Sequence, residues 1–193
     1  MKLDSICVYC GSSNKADKKF IDLATELGTL IAENGKRLVY GGGNVGLMGA
    51  SSRAAYENGG RVLGIMPHFL TKWELPHPEI ETIMVDTMHE RKWLLFAESD
   101  GFAVLPGGIG TLEEVVETLS WHRLQLHQKP IVFVDKAFWQ PFVDLVDQFF
   151  AHHFVPDGFE SSFCVVDTAA EVIPAMQKML DAQKTKEIYG VVP

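Results

Sequence analysis

Apolar positions along this chain follow two rhythms that alternate from end to end. Short unbroken apolar runs, closed by glycine, proline or asparagine, predict strands over residues 5–10, 37–40, 61–66, 82–85, 102–105, 129–134 and 164–166. Between them, apolar residues recur every three or four positions. That spacing predicts helices over 20–32, 47–56, 88–98, 111–121, 138–150 and 169–183. In the first of these, Phe20, Leu23, Ala24, Leu27, Leu30 and Ile31 share a face, and Asn34-Gly35 supplies the stop. Residues 68–80 lack a clear period. Trp73, Glu74, Pro76 and Pro78 predict an irregular connection there, with a short helix near Phe69.

Strands that are apolar on both faces belong in a sheet covered on both sides. Their alternation with helices predicts a doubly wound α/β fold, Rossmann-like, with a mostly parallel sheet and helices on both faces. One domain over residues 1–184 is expected, followed by a loosely held tail over 185–193. In such folds ligands sit beyond the carboxyl ends of the strands. Three predicted turns at those ends are small or glycine-rich: Gly11-Ser12-Ser13, Gly41 to Gly46, and Pro106 to Gly110.

Gly41-Gly42-Gly43-Asn44-Val45-Gly46 has the spacing of a dinucleotide fingerprint, but it follows the second strand, and the next strand ends at Met66-Pro67 without the expected ribose-binding acid. It is read either as a tight turn for helix–sheet packing or as a phosphate or ribose contact. Pro106-Gly107-Gly108-Ile109-Gly110 joins an apolar strand to a helix, a geometry that presents backbone N–H groups and a helix dipole to an anion. Thr111-Leu112-Glu113-Glu114 has the form of a capping box, which would account for its acids by itself. A carboxylate one turn from a phosphate is electrostatically unwelcome, however, so a second use for Glu114 stays open. Thr87-Met88-His89-Glu90 is a second capping box. The Arg91-Lys92 pair behind it opposes the helix dipole and so gains nothing structural there, which favours a ligand contact over the alternative of two solvated bases paired with Glu90 or Glu98.

Composition narrows the classes. With 47% hydrophobic and 22% charged residues the chain is ordinary globular protein. A formal net charge of −8 without a basic stripe disfavours nucleic acid as a partner, while leaving room for one small anion in a local pocket. No run is long enough to cross a membrane, and the opening Met1-Lys2-Leu3-Asp4 lacks the features of a signal peptide, so a cytoplasmic location is expected. Cys7, Cys10 and Cys164 form no disulfide framework. Cys7-x-x-Cys10 lies within a predicted strand and not at a helix start, so both read as buried thiols. The histidines show no metal-ligand spacing, and no Ser-His-Asp arrangement is legible. Trp121, Leu124 and Leu126 read as core or as a helix–helix contact.

Gly41-Gly-Gly-Asn-Val-Gly-Leu-Met-Gly49, Met88-His-Glu-Arg-Lys92 and Pro106-Gly-Gly-Ile-Gly-Thr-Leu-Glu-Glu114 occur in the order and spacing of the LOG family, and the chain resembles it from Cys7 to about Phe154. That family comprises cytokinin riboside 5′-monophosphate phosphoribohydrolases. The resemblance implies a Rossmann-like homodimer that hydrolyses the N-glycosidic bond of AMP or an N6-substituted AMP, without a metal or other cofactor. It implies Arg91 and Glu114 as the catalytic pair. It also implies Ser12, Gly42, Gly43, Met88, Lys92, Gly107, Gly108, Gly110 and Thr111 around the nucleotide. The chain departs from the pattern at Trp121-His122-Arg123-Leu124 and over residues 70–78, where the choice of base or the subunit contacts would be set. Two rival readings are a nucleotide-binding module without turnover and a pyridoxal-dependent decarboxylase, and nothing around Lys92 or Lys129 suggests a Schiff-base site.

Overall fold

The computed structural model describes residues 2–156 and 158–188. Seven strands form one sheet: β1 (Ser5–Tyr9), β2 (Arg37–Tyr40), β3 (Arg61–Pro67), β4 (Glu81–Val85), β5 (Gly101–Val104), β6 (Ile131–Val134) and β7 (Cys164–Val166). Six helices accompany them among the described residues, five between strands and the last after β7: α1 (Lys18–Glu33), α2 (Gly46–Glu57), α3 (Met88–Ala97), α4 (Ile109–Arg123), α5 (Lys136–Ala151) and α6 (Val172–Ile188). Every pairing is parallel, in the order β4-β3-β2-β1-β5-β6-β7. The fold is therefore the expected α/β type. The irregular connection after β3 contains a 3-10 turn over His68–Lys72, near the position expected, and a second one over Phe159–Ser162 had no sequence signal.

The sheet is buried on both faces because successive strand residues point to opposite sides. Ile6 and Val8 face one core with Ala24, Leu27 and Ile31 of α1, Leu47 of α2 and Met176 of α6. Cys7 and Tyr9 face the other with Leu95 of α3, Val115 and Leu119 of α4 and Trp139 of α5. The chain winds outward from β1 through β2 and β3 to β4, then returns by α3 across the opposite face to place β5 on the other side of β1. Right-handed crossovers require this change of face when the direction of winding reverses. The reversal opens a crevice between the carboxyl ends of β1 and β5, the place where open α/β sheets bind ligands.

At the other end of that seam the Asp100 carboxylate accepts hydrogen bonds from the backbone N–H groups of Asp4 and Ser5 and from the Ser5 hydroxyl, at 2.9–3.0 Å. The last helix continues to Ile188, past the expected boundary at 184, and residues 189–193 of the proposed tail lie outside the described residues. Leu124 and Leu126, read from sequence as core or helix contact, stand 58% and 67% exposed. The α4 helix ends before they can turn inward, whereas Trp121 meets the Phe96 ring edge-on at 5.1 Å.

Candidate active site

The loops that follow β1 and β5 are tied together across the crevice. Gly11 donates its N–H to Pro106 O at 3.1 Å, and a Cβ on Gly107 would overlap the Thr111 side chain and come within 2.9 Å of Gly11 N. Gly107 thus serves this close approach and stands outside the cavity wall. The loop after β2 closes against the same turn. Gly46 donates to Asn14 Oδ1 at 3.0 Å and Leu47 N to Gly11 O at 3.0 Å. Gly46 has φ +57, and a Cβ there would come within 2.5 Å of the Ser12 carbonyl carbon. The first N–H groups of α2 are therefore engaged by protein, and packing accounts for most of this glycine motif.

The α4 helix differs. It begins at Ile109 with Gly108 as its N-cap, and no side chain caps it. The capping box expected at Thr111 does not form, because the helix starts two residues earlier and puts Thr111 in its first turn. The consequence is chemical: the head of α4, whose Gly108, Gly110 and Thr111 line a cavity, keeps N–H groups without a side-chain cap. The Thr87 box does form, with Thr87 Oγ1 accepting from Glu90 N and Glu90 accepting from the backbone of Asp86 and Thr87. It fixes the first turn of α3, from which Arg91 projects.

Arg91 is buried, 8% exposed. Its Nε donates to Ile65 O at 3.3 Å and its Nη2 to Gly41 O at 3.2 Å, so the carboxyl ends of β2 and β3 hold the guanidinium in place. Nη1 then meets Glu114 Oε1 at 3.3 Å. Burial raises the Glu114 carboxyl to about 7; Arg91 opposes the rise, and Glu113 and Glu117 add to it. A carboxyl group at that value exchanges protons freely at neutral pH. Thr118, one turn on, donates from Oγ1 to Glu114 O at 2.9 Å and lies 3.2 Å from the Tyr9 hydroxyl, which binds this turn of α4 to the end of β1.

These groups line a cavity of about 210 Å³. Of the residues expected from the sequence, it brings together Ser12, Gly108, Gly110, Thr111, Arg91 and Glu114. Gly42, Gly43, Met88, Lys92 and Gly107 do not line it. Gly42, with φ +82, turns the loop beneath Met66; Gly43 abuts the Glu74 carboxylate; Met88 opens α3; and Lys92 faces α4. The cavity adds Val8, Cys10, Gly11, Gly41, Met48, Leu70 and Glu74. Glu74 had one available signal: it is an acid in the aperiodic connection that follows the carboxyl end of β3. Cys10 is a buried thiol as expected, and burial, Glu114 and Glu74 all push its pKa up and keep it uncharged. Among the described residues no three His, Cys, Asp or Glu side chains are grouped to hold a metal ion.

A family described as "Possible lysine decarboxylase" matches residues 48–176. The cytokinin riboside 5′-monophosphate phosphoribohydrolase LOG of Oryza sativa subsp. japonica is 37% identical over 175 residues, covering 90% of this chain and 72% of its own. The chain belongs to the LOG family. Its Arabidopsis thaliana member LOG2, also a cytokinin riboside 5′-monophosphate phosphoribohydrolase, is 40% identical over 159 residues, 81% of this chain and 72% of its own. Among solved structures, the molybdenum cofactor binding protein from Rippkaea orientalis superposes with a TM-score of 0.71 at 24% identity, over 93% of this chain and 99% of that one. At that identity the likeness concerns the fold shared with the LOG family, and not the ligand.

Proposed function

We propose that this protein hydrolyses the N-glycosidic bond of nucleoside 5′-monophosphates, AMP or an N6-substituted AMP, to the free base and ribose 5-phosphate. The observation that carries the reading is the buried Arg91–Glu114 pair, set in one cavity with the uncapped head of α4. Membership of the LOG family supplies the substrate class, through relatives named as cytokinin riboside 5′-monophosphate phosphoribohydrolases.

The phosphate sits at Gly108, Gly110 and Thr111, where the N–H groups and the dipole of α4 favour an anion, with Ser12 on the facing loop. This puts the ribose beside Glu114 and the base toward Met48 and Leu70. When the C1′–N bond breaks, its electron pair leaves with the base and positive charge develops on the ribosyl group. Ionised Glu114 stabilises that charge and accepts a proton from the water that adds to C1′; the departing base takes up a proton, so one water is consumed overall. Arg91 orients the carboxylate and favours its ionised form.

Incubation with AMP followed by chromatography for free adenine tests the reaction. Glu114→Gln should abolish adenine release while AMP binding survives; near-normal turnover by that variant would remove Glu114 from the mechanism. Release of no base from AMP or isopentenyl-AMP by the unaltered protein would instead leave a binding module.

A homodimer belongs to the same proposal. Trp93 on α3 and Ile109 and Val116 on α4, the helices that carry Arg91 and Glu114, are 55%, 81% and 44% exposed. The cavity also falls below the roughly 300 Å³ at the small end of ligand sites, as expected if a second subunit completes it. Light scattering at micromolar concentration gives the mass that tests this.

A further inference from the structure

Two adjacent cations project from α3, and only one reaches the cavity. Arg91 turns inward to Glu114, whereas the Lys92 ammonium donates to Glu113 Oε1 at 2.5 Å and to Glu117 Oε1 at 3.1 Å. The Lys92 side chain is 16% exposed, its stem covered along the helix while its ammonium pairs with both carboxylates near the surface. Glu113, Glu114 and Glu117 stand within a little over one turn of α4. Like charges at that spacing repel, and Glu113 and Glu117 both push the Glu114 carboxyl up. Among the described residues, Lys92 is the only cation paired with Glu113 or Glu117.

The groups that act on Glu114 come from every element packed around it. Arg91 and Lys92 face it from α3, and Glu113 and Glu117 from its own helix. Cys7, Tyr9 and Cys10 feel its charge from β1 and the turn after it, and Glu74 lines the same cavity. The thiols and the phenol are held neutral by burial, so the balance at Glu114 rests on the carboxylates and the two α3 cations.

We propose that Lys92 is a positioning residue, not a phosphate ligand. It clamps Glu113 and Glu117, seats α3 on α4 so that Arg91 meets Glu114, and offsets part of the negative charge those two residues bring to bear on that carboxylate. The catalytic meaning of this clamp rests on the hydrolase reading above; the clamp itself does not.

The test uses the full chain, ligand-free, with ¹³C-labelled glutamate carboxyls, the Glu114 resonance being identified by its loss in Glu114→Gln. Lys92→Met should raise the Glu114 midpoint by about one pH unit, the size of shift that neighbouring charges produce. Adding Glu113→Gln to that variant should bring the midpoint back down, and Lys92→Arg should leave it within a few tenths. If Lys92→Met folds poorly, Glu113→Gln alone decides the matter, because with Lys92 intact it should lower the midpoint. An unmoved midpoint in Lys92→Met or in Glu113→Gln overturns the proposal. So does a rise of about tenfold or more in KM for AMP in Lys92→Met that Glu113→Gln fails to reverse, which would make Lys92 a substrate ligand. Failure of the unaltered protein to release adenine would defeat the hydrolase reading while leaving the titration result intact.

Discussion

Replacing Gly41 by alanine should silence the site while leaving the fold in place. A Cβ on Gly41 would overlap Arg91 Nη2 and stand 3.1 Å from Arg91 Cζ and 3.2 Å from Met48 Sδ. The Gly41 backbone is not in the left-handed region, so alanine meets no conformational penalty there, and the atom that must yield is the end of a long side chain. Displacing the guanidinium breaks its hydrogen bond to Gly41 O at 3.2 Å and its ion pair with Glu114 at 3.3 Å. Interactions of this charged kind contribute about 1.5–3 kcal/mol each. Two of them lost at the transition state lower the rate by roughly 10²–10⁴-fold at about 1.4 kcal/mol per decade. Stability should fall by about 2–5 kcal/mol, the loss of the same two interactions being offset in part by the smaller backbone entropy of unfolded alanine. Without Arg91 beside it, Glu114 also loses its main charge-stabilising partner, so the acid limb of the rate profile should move to higher pH. Initial rates of adenine release between pH 6 and 9, with thermal unfolding on the same samples, measure both effects. A rate within about threefold of the unaltered protein, with the acid limb in place, would refute the role given to the Arg91–Glu114 contact.

Glu114 should also mark the pH dependence of folding. Its carboxyl titrates near 7 in the folded protein against an ordinary value of 4.5, so between those values the folded state keeps a proton that the unfolded chain has released. Stability should therefore fall as pH rises from about 4.5 through 7, by up to about 3 kcal/mol, and Glu114→Gln should flatten that interval in denaturant titrations. A slope unchanged by the substitution would place the proton elsewhere. Thr118→Val removes the link between Tyr9 and the turn that carries Glu114 and strands a buried phenol hydroxyl. A loss of about 1–3 kcal/mol is expected by denaturant melt, with Thr118→Ser retaining most of the stability.

The architecture was legible because each strand is apolar on both faces and each helix keeps its period, so the alternation of elements specified a covered parallel sheet. The three small turns also lay where that sheet binds ligands. What local pattern could not supply was the start of α4. Thr111-x-x-Glu114 has the form of a cap, but Gly107 must approach Gly11, and the helix begins at Ile109 once that contact is made. The direction in which Lys92 points was not legible for a related reason. Sequence puts it beside Arg91, while its direction depends on where α4 lies, and α4 is set by the pairing of β5 with β1. Glu74 sits in a stretch with no periodicity to read, and only the path of the chain after β3 carries it to the cavity.

The seam between β1 and β5 also bears on how the molecule comes into being. The Asp100 latch at its base joins residues 95 positions apart, whereas β1 through β4 are laid down in sequence order as neighbours. Loop-closure entropy makes so distant a pairing a late event in folding. Arg91 is synthesised with the first group of strands and Glu114 with the second. Neither group of strands can assemble the pair by itself, so the chemistry is withheld until β5 has joined β1.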